Sequence, residues 1–205
     1  MKCWIKEEPE LQESELIKQA KKGDVAAFEE LVRLHEKKVY TIAYKYMSNY
    51  EDAGDITQET FIKAFQVIHT FRGESSFGTW VSRIAANKAL DELRKRKKFQ
   101  ITSLEEEIEL EAGSVNKEIA AEDATPEECY LQQETGEYLQ NLLDAMREEY
   151  KVVIIMREIE GRTYEEIAES LNCSLGTVKS RLSRARNYLK EKIRQDRKEL
   201  LHYGR

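Results

Sequence analysis

Arg162-Thr-Tyr-Glu-Glu-Ile-Ala-Glu-Ser-Leu-Asn-Cys-Ser-Leu-Gly-Thr-Val-Lys-Ser-Arg-Leu-Ser-Arg-Ala-Arg-Asn-Tyr-Leu189 reads as two helices joined by a tight turn. Thr163 and Glu166 have the Thr-x-x-Glu spacing of a capping box, in which each side chain satisfies an N–H left unpaired at a helix start. Ile167, Ala168 and Leu171 then form a short apolar stripe. Asn172 suits a left-handed exit from that helix, and Ser174 suits the cap of the next. There, Val178, Leu182, Ala185 and Leu189 recur at spacings of four, three and four, one narrow face at about 100° per residue. The opposite pole carries Ser180, Ser183, Arg184 and Asn187, flanked by Thr177 and Lys179. Short hydrogen-bonding side chains mixed with cations suit base edges and phosphates in a major groove. On a lone helix such a face would merely solvate. The capped partner helix and the turn before it make the pair a DNA-reading helix-turn-helix.

The rest of the composition is compatible with that assignment. The chain has 205 residues, 35% of them charged, and only two prolines, which fits one large or two small helical domains. No apolar run approaches the roughly 20 residues of a membrane span. The start, Met1 to Pro9, has no apolar secretory segment, so the expected location is cytoplasmic. Cys3, Cys129 and Cys173 are scattered, and only His35, His69 and His202 are available to join them. That spacing implies reduced thiols, with no disulfide framework, metal site or cofactor.

A net charge of −6 looks wrong for a DNA binder until it is localised. Residues 1–98 carry 18 lysines and arginines against 16 acids, and residues 142–205 carry 14 against 11. Residues 99–141 carry one against 12. The acidity is therefore central, between two slightly basic ends.

Along the first half, Ser14–Lys22 is a short polar helix ended by Gly23, and Asp24 is placed to cap a long one. That helix has Phe28, Leu31, Val32, His35, Val39, Ile42, Ala43 and Tyr46 on one face, so His35 reads as a core or rim residue and not a ligand. A third helix, Tyr50 to His69, turns Ala53, Ile56, Thr60, Ala64 and Ile68 inward. Its other side presents Asp52, Asp55 and Glu59, with Gln58 adjacent, a mutually repelling stripe that is either solvated or a dock for a basic partner. The loop Thr70–Phe77 opens a fourth helix with Phe77, Trp80, Val81, Ile84 and Ala85, ending in the basic run 94–98. Arg83, Asn87, Lys88 and Asp91 lie between and beyond those apolar positions. An aromatic loop leading into a basic helix suits the stacking of unpaired bases, with core packing the competing use of Phe77 and Trp80.

Residues 99–124 lose periodicity and read as a flexible acidic linker. Thr125-Pro-Glu-Glu128 signals a new helix, with Leu131, Thr135, Tyr138, Leu142 and Ala145 in period. A further helix covers Glu148 to Glu160, with residues 152–156 buried and Gly161 as its stop. The expected architecture is all-α: a first domain over 1–98, a linker over 99–126, and a second domain over 127–205.

Asp52-x-x-Asp55-Ile-x-Gln58-Glu59-x-Phe61, Phe77-x-Thr-Trp80-Val-x-Arg83-Ile-Ala-x-Asn87, Tyr164-x-Glu-Ile-Ala168 and Gly176-Thr-Val-Lys-Ser-Arg181 occur in that order. In order and spacing they resemble the bacterial extracytoplasmic-function (ECF, group IV) sigma factors of the sigma-70 superfamily. The resemblance covers residues 14–98 (region 2) and 127–195 (region 4). It implies promoter-specific transcription initiation with RNA polymerase core, through the β′ clamp helices and the β flap. Asp55, Gln58 and Glu59, with Asp52 of the same stripe, would dock on the clamp helices. Phe71, Arg72, Phe77, Trp80, Arg83 and Asn87 would meet the melted −10 element. Lys179, Ser180, Ser183 and Arg184, with Thr177, would meet the −35 duplex, and Arg181 would serve phosphate. Ser183 is a small hydroxyl where relatives often carry a bulky side chain. The resemblance also implies an anti-sigma factor, often membrane-anchored in this group, with no direct membrane contact by this chain.

Two other classes compete. A two-domain helix-turn-helix regulator would bind duplex DNA alone, usually as a dimer on paired half-sites. An enzyme acting on nucleic acid would need a metal cluster, a phosphate-cradling loop or a paired nucleophile and base, and the sequence offers none of these.

Overall fold

The computed structural model describes the backbone of residues 9–102 and 126–203, and the side chains of 13–97 and 134–196. The chain divides into two compact units, Met1–Glu92 and Leu93–Arg205. Among the described residues all regular structure is helical. Most of the expected linker, residues 103–125, lies outside the described residues.

In the first unit α1 (Pro9–Lys21) is followed by α2 (Val25–Met47). Gly23 turns the chain at φ +93°, and the Asp24 carboxylate accepts the Ala27 N–H at 3.2 Å to start α2. α2 ends at Ser48, in the left-handed region at φ 57°. The Asn49 side chain caps α3 (Tyr50–Val67), accepting from Glu51 and Asp52 N–H at 2.9 and 3.1 Å. The short connection turns α3 back to pack along α2. The helix read as running to His69 instead tightens at its end into a 3₁₀ turn, Ile68–Thr70, as helix ends commonly do. α4 (Phe77–Thr102) then closes the core with its first turns, against Leu31, Val39, Phe61 and Phe71.

Two boundaries move. α1 begins at Pro9 and not Ser14, a proline being tolerated in a first helical turn. α4 runs past the basic run to Thr102, so the first residues assigned to the linker are helical. No glycine or proline stands between Lys97 and Thr102 to stop it.

The second unit holds α5 (Pro126–Asp144), α6 (Glu148–Ile154), a wide π turn (Ile155–Ile159), α7 (Tyr164–Ser170) and α8 (Leu175–Tyr203). Residues 152–156 are all buried, as expected. They belong to a helix that widens, however, with Glu160 N–H reaching the Ile155 carbonyl at 3.1 Å. The inward face of α5 also differs. Thr135, Tyr138 and Ala145 are exposed, while Gln140, Leu142, Leu143 and Met146 are buried. Tyr138 instead gives its hydroxyl to the Asp196 carboxylate at 2.6 Å, a bond that raises the phenol pKa.

His35 is a rim residue of the first unit. Its Nε2 lies 3.2 Å from the Glu13 carboxylate, and its ring is 5.3 Å from that of Phe77. A Cβ added to Gly78 would meet the His35 Nδ1 at 2.9 Å, closer than side chains tolerate. Glu13 on one side and Phe77 on the other leave that ring little room to withdraw. Gly78→Ala should therefore destabilise the protein by about 1–3 kcal/mol. In a His35→Ala background the same substitution should become neutral or stabilising by about 0.5–1 kcal/mol, the helical preference of alanine over glycine. Urea unfolding followed by far-ultraviolet circular dichroism reads both; an equal effect in the two backgrounds would show that the histidine is not the obstacle.

Candidate nucleic-acid interface

The helix-turn-helix forms as its residues dictate. The Thr163 hydroxyl accepts the Glu166 N–H at 3.1 Å, and the Glu166 carboxylate accepts the Thr163 N–H at 2.8 Å. This capping box contributes about 1 kcal/mol to the start of α7. Asn172 turns the chain at φ 48°, and the Ser174 hydroxyl accepts the Thr177 N–H at 3.1 Å to begin α8. Ile167, Val178, Leu182 and Ala185 are fully buried between the two helices and α6. Leu189 is only half-buried.

Beneath the turn lies a polar anchor that sequence reading overlooked. Arg162 is 4% exposed. It donates through Nε to the Glu160 carboxylate at 2.6 Å and through Nη1 to the Ser170 hydroxyl at 2.9 Å. The Ser170 hydroxyl passes its own proton to the Glu166 carbonyl at 2.7 Å. Arg157 donates to the Arg162 carbonyl at 2.6 Å, and its guanidinium lies 5.0 Å from the Tyr164 ring centroid. The π turn, the loop and α7 are thus tied by one network. Nothing in the spacing of Glu160, Arg162 and Ser170 announces it, because such residues usually point to water.

With the apolar stripe of α8 turned inward, Lys179, Ser180, Ser183, Arg184 and Asn187 are exposed. Thr177 is half-buried at the head of the same helix. Arg181 is half-buried and 3.5 Å from Glu149, which draws its charge toward α6. Arg184 reaches the Tyr150 hydroxyl at 3.4 Å. Arg186 makes a two-pronged contact with Glu158 at 2.7 and 3.2 Å, and these hydrogen bonds raise its pKa further. Glu149, Tyr150 and Glu158 come from residues 28–34 positions away and have no local signal in the sequence.

In the first unit the aromatic segment divides in two. Phe71 and Phe77 are buried at 6% and 1% exposure. Their rings pack edge to face at 5.8 Å, with Trp80 5.3 Å from Phe71 and 5.5 Å from Phe77. Core packing, the competing use expected for Phe77, takes that ring and Phe71 with it, so neither offers an open face. Trp80 is half-buried, and Arg72, Arg83 and Asn87 are exposed. Trp80, Arg83 and Asn87, at i, i+3 and i+7, share one face of α4. The carboxylate stripe of α3 is as expected, with Asp55, Gln58 and Glu59 exposed and Asp52 half-buried. Glu59 is met by Lys88 of α4 at 2.6 Å, which connects the acidic stripe to the α4 surface.

These elements define a helical, two-unit protein with a helix-turn-helix in the second unit. Comparison with known proteins narrows the class. Residues 31–99 match the family model for Sigma-70 region 2, and residues 136–189 that for Sigma-70, region 4. The chain is 37% identical over 172 residues to the ECF RNA polymerase sigma factor SigE of Mycolicibacterium smegmatis, covering 82% of this chain and 63% of that protein. It is 35% identical over 188 residues to the ECF RNA polymerase sigma-E factor of Salmonella typhimurium, covering 90% and 95%. The sigma factor RpoE of Bartonella quintana, solved with the anti-sigma factor NepR, superposes with a TM-score of 0.56 at 28% identity over 83% of this chain and 98% of that one.

The chain belongs to the ECF RNA polymerase sigma factors. It binds RNA polymerase and directs promoter-specific initiation.

Proposed function

We propose a division of this work between the two units, carried by one observation above all. The apolar stripe of α8 is buried, and its opposite face, with Lys179, Ser180, Ser183 and Arg184, is open. That face reads the −35 duplex, Thr177 sits at its leading end, and Arg181 contacts phosphate when it exchanges Glu149 for DNA. The α4 face of Trp80, Arg83 and Asn87, with Arg72 of the loop before it, holds unpaired bases of the −10 element. Phe71 and Phe77 support that surface from below. Extruding a base costs a few kcal/mol of unstacking, which contacts to the flipped base offset. Asp52, Asp55, Gln58 and Glu59 dock on the β′ clamp helices, whose cations relieve the repulsion along the stripe. The polymerase core supplies the catalysis and this chain supplies promoter choice, in the cytoplasm. An anti-sigma factor silences it by covering these surfaces, a reading supported by the structure of the B. quintana relative with NepR.

Run-off transcription with purified core tests the whole reading. The chain should produce a promoter-specific transcript that core alone does not, and should bind promoter duplex weakly without core. Strong duplex binding alone, with no new transcript, would favour the conventional regulator. Replacing Asp55 and Glu59 together with lysine should abolish co-elution with core while helicity is unchanged. Arg184→Ala should weaken transcription by about 1–3 kcal/mol at −35 sequences carrying its contacted base, if the contact is bidentate. Equal losses across all −35 variants would make Arg184 a phosphate contact.

A further inference from the structure

Lys21 lies outside every surface assigned so far, yet it touches the root of the exposed loop. It is the last residue of α1, and its Nζ donates to the Phe71 carbonyl at 2.5 Å. The same nitrogen stands 5.5 Å from the centroid of the Phe71 ring. Phe71 is therefore held at three points. Its N–H donates to the Ile68 carbonyl at 3.0 Å, its ring packs against Phe77 and Trp80, and its carbonyl accepts from Lys21.

The third point has a directional consequence. The carbonyl of residue 71 and the N–H of residue 72 belong to one rigid peptide plane. Fixing where that carbonyl points fixes the direction in which the chain departs toward Arg72. Beyond it the path turns at Gly73, with φ +79°. Arg72 has little of its own to orient it: its side chain is 83% exposed, and Glu74 stands 4.0 Å away. The loop thus has a clamped root and an open crown, and the clamp comes from a different helix.

A lysine can impose such a geometry only if its own base is fixed. α1 meets that condition. Ala20 is 1% exposed, Leu16 and Ile17 pack against the same core, and Glu13 pairs with His35 of α2. Burial of the Phe71 ring does not itself require the ammonium, so the anchor and the core are separable.

We propose that Lys21 is a positioning residue for promoter opening. Its hydrogen bond from α1 to the Phe71 carbonyl sets the path of the 71–76 loop, and with it the presentation of Arg72 to unpaired −10 bases. This rests on the assignment of that loop and α4 to the −10 element made above.

Lys21→Met tests it, because methionine keeps apolar contact with the Phe71 ring and removes the donor; Lys21→Arg retains a charged donor. Each full-length variant is assembled with core polymerase on a promoter used by the unsubstituted chain. Opening is followed by permanganate reactivity of unpaired thymines, across single-base variants of the −10 element. Lys21→Met should elute with core as before and keep its helical content at the assay temperature. Opening should slow by about tenfold as the loop loses its fixed path and Arg72 its placement. The ranking of −10 variants should change, and Lys21→Arg should restore both rate and ranking. Unchanged opening and ranking in Lys21→Met would overturn the proposal. So would loss of helical content at the assay temperature, or a uniform slowing that arginine does not rescue, since either makes Lys21 a general stabiliser. If the unsubstituted chain opens no promoter with core, the −10 reading itself fails and this proposal falls with it.

Discussion

A helix that reads DNA can give only one stripe to its own domain, and that limit shapes both units. α8 seats itself through Val178, Leu182 and Ala185, all essentially inaccessible, and leaves Lys179, Ser180, Ser183, Arg184 and Asn187 to solvent. α4 repeats the arrangement with Val81, Ala85 and Ala89 inward and Arg83 and Asn87 outward. So does α3, whose Ala53, Ile56, Thr60 and Ala64 are buried below Asp55, Gln58 and Glu59. Small residues recur in these stripes because they let helices approach closely. The orientation of each outward face is then set by packing and depends little on the polar residues themselves.

Those polar residues differ in how they stand before a partner arrives. Glu59 is already matched by Lys88, Arg181 by Glu149 and Arg186 by Glu158. Exposed pairs of this kind contribute at most about 1 kcal/mol, so a partner's charges can displace them at little cost. They hold long side chains near one conformation and lessen the ordering that binding requires. The Arg162–Glu160 pair is of another kind. Both side chains are almost wholly enclosed, with exposures of 5% and 2%, so breaking it would be far more damaging than losing a surface contact.

Much of this was legible in the sequence, and the reasons for the exceptions are specific. Long periodic helices such as α2 declare themselves by repeated apolar spacing. The cap of α7 was readable because Thr163 and Glu166 use a local, three-residue rule. α5 misled because alternative sets of residues at helical spacing both contain Leu142, and only tertiary packing decides between Ala145 and Met146. The burial of Phe71 was hidden because a loop position carries no period, whereas Phe77, the first residue of α4, was a core candidate from the start. The pairings of Glu59 with Lys88 and of Lys21 with Phe71 span 29 and 50 residues, and no local pattern encodes them.

The π turn at Ile155–Ile159 carries a consequence for how this segment tolerates change. A hydrogen bond reaching five residues back in place of four takes up one extra residue, and one residue is about 100° of helical rotation. The chain leaves this turn directly into Glu160, Gly161 and Arg162, where the anchor beneath α7 is built. Residue count between Val152 and Arg162 is therefore what orients that anchor, while the exposed Glu158 and Ile159 allow variety in side chains. Substitutions at those two exposed positions should be absorbed where single-residue insertions or deletions are not, so selection there acts on length before letters.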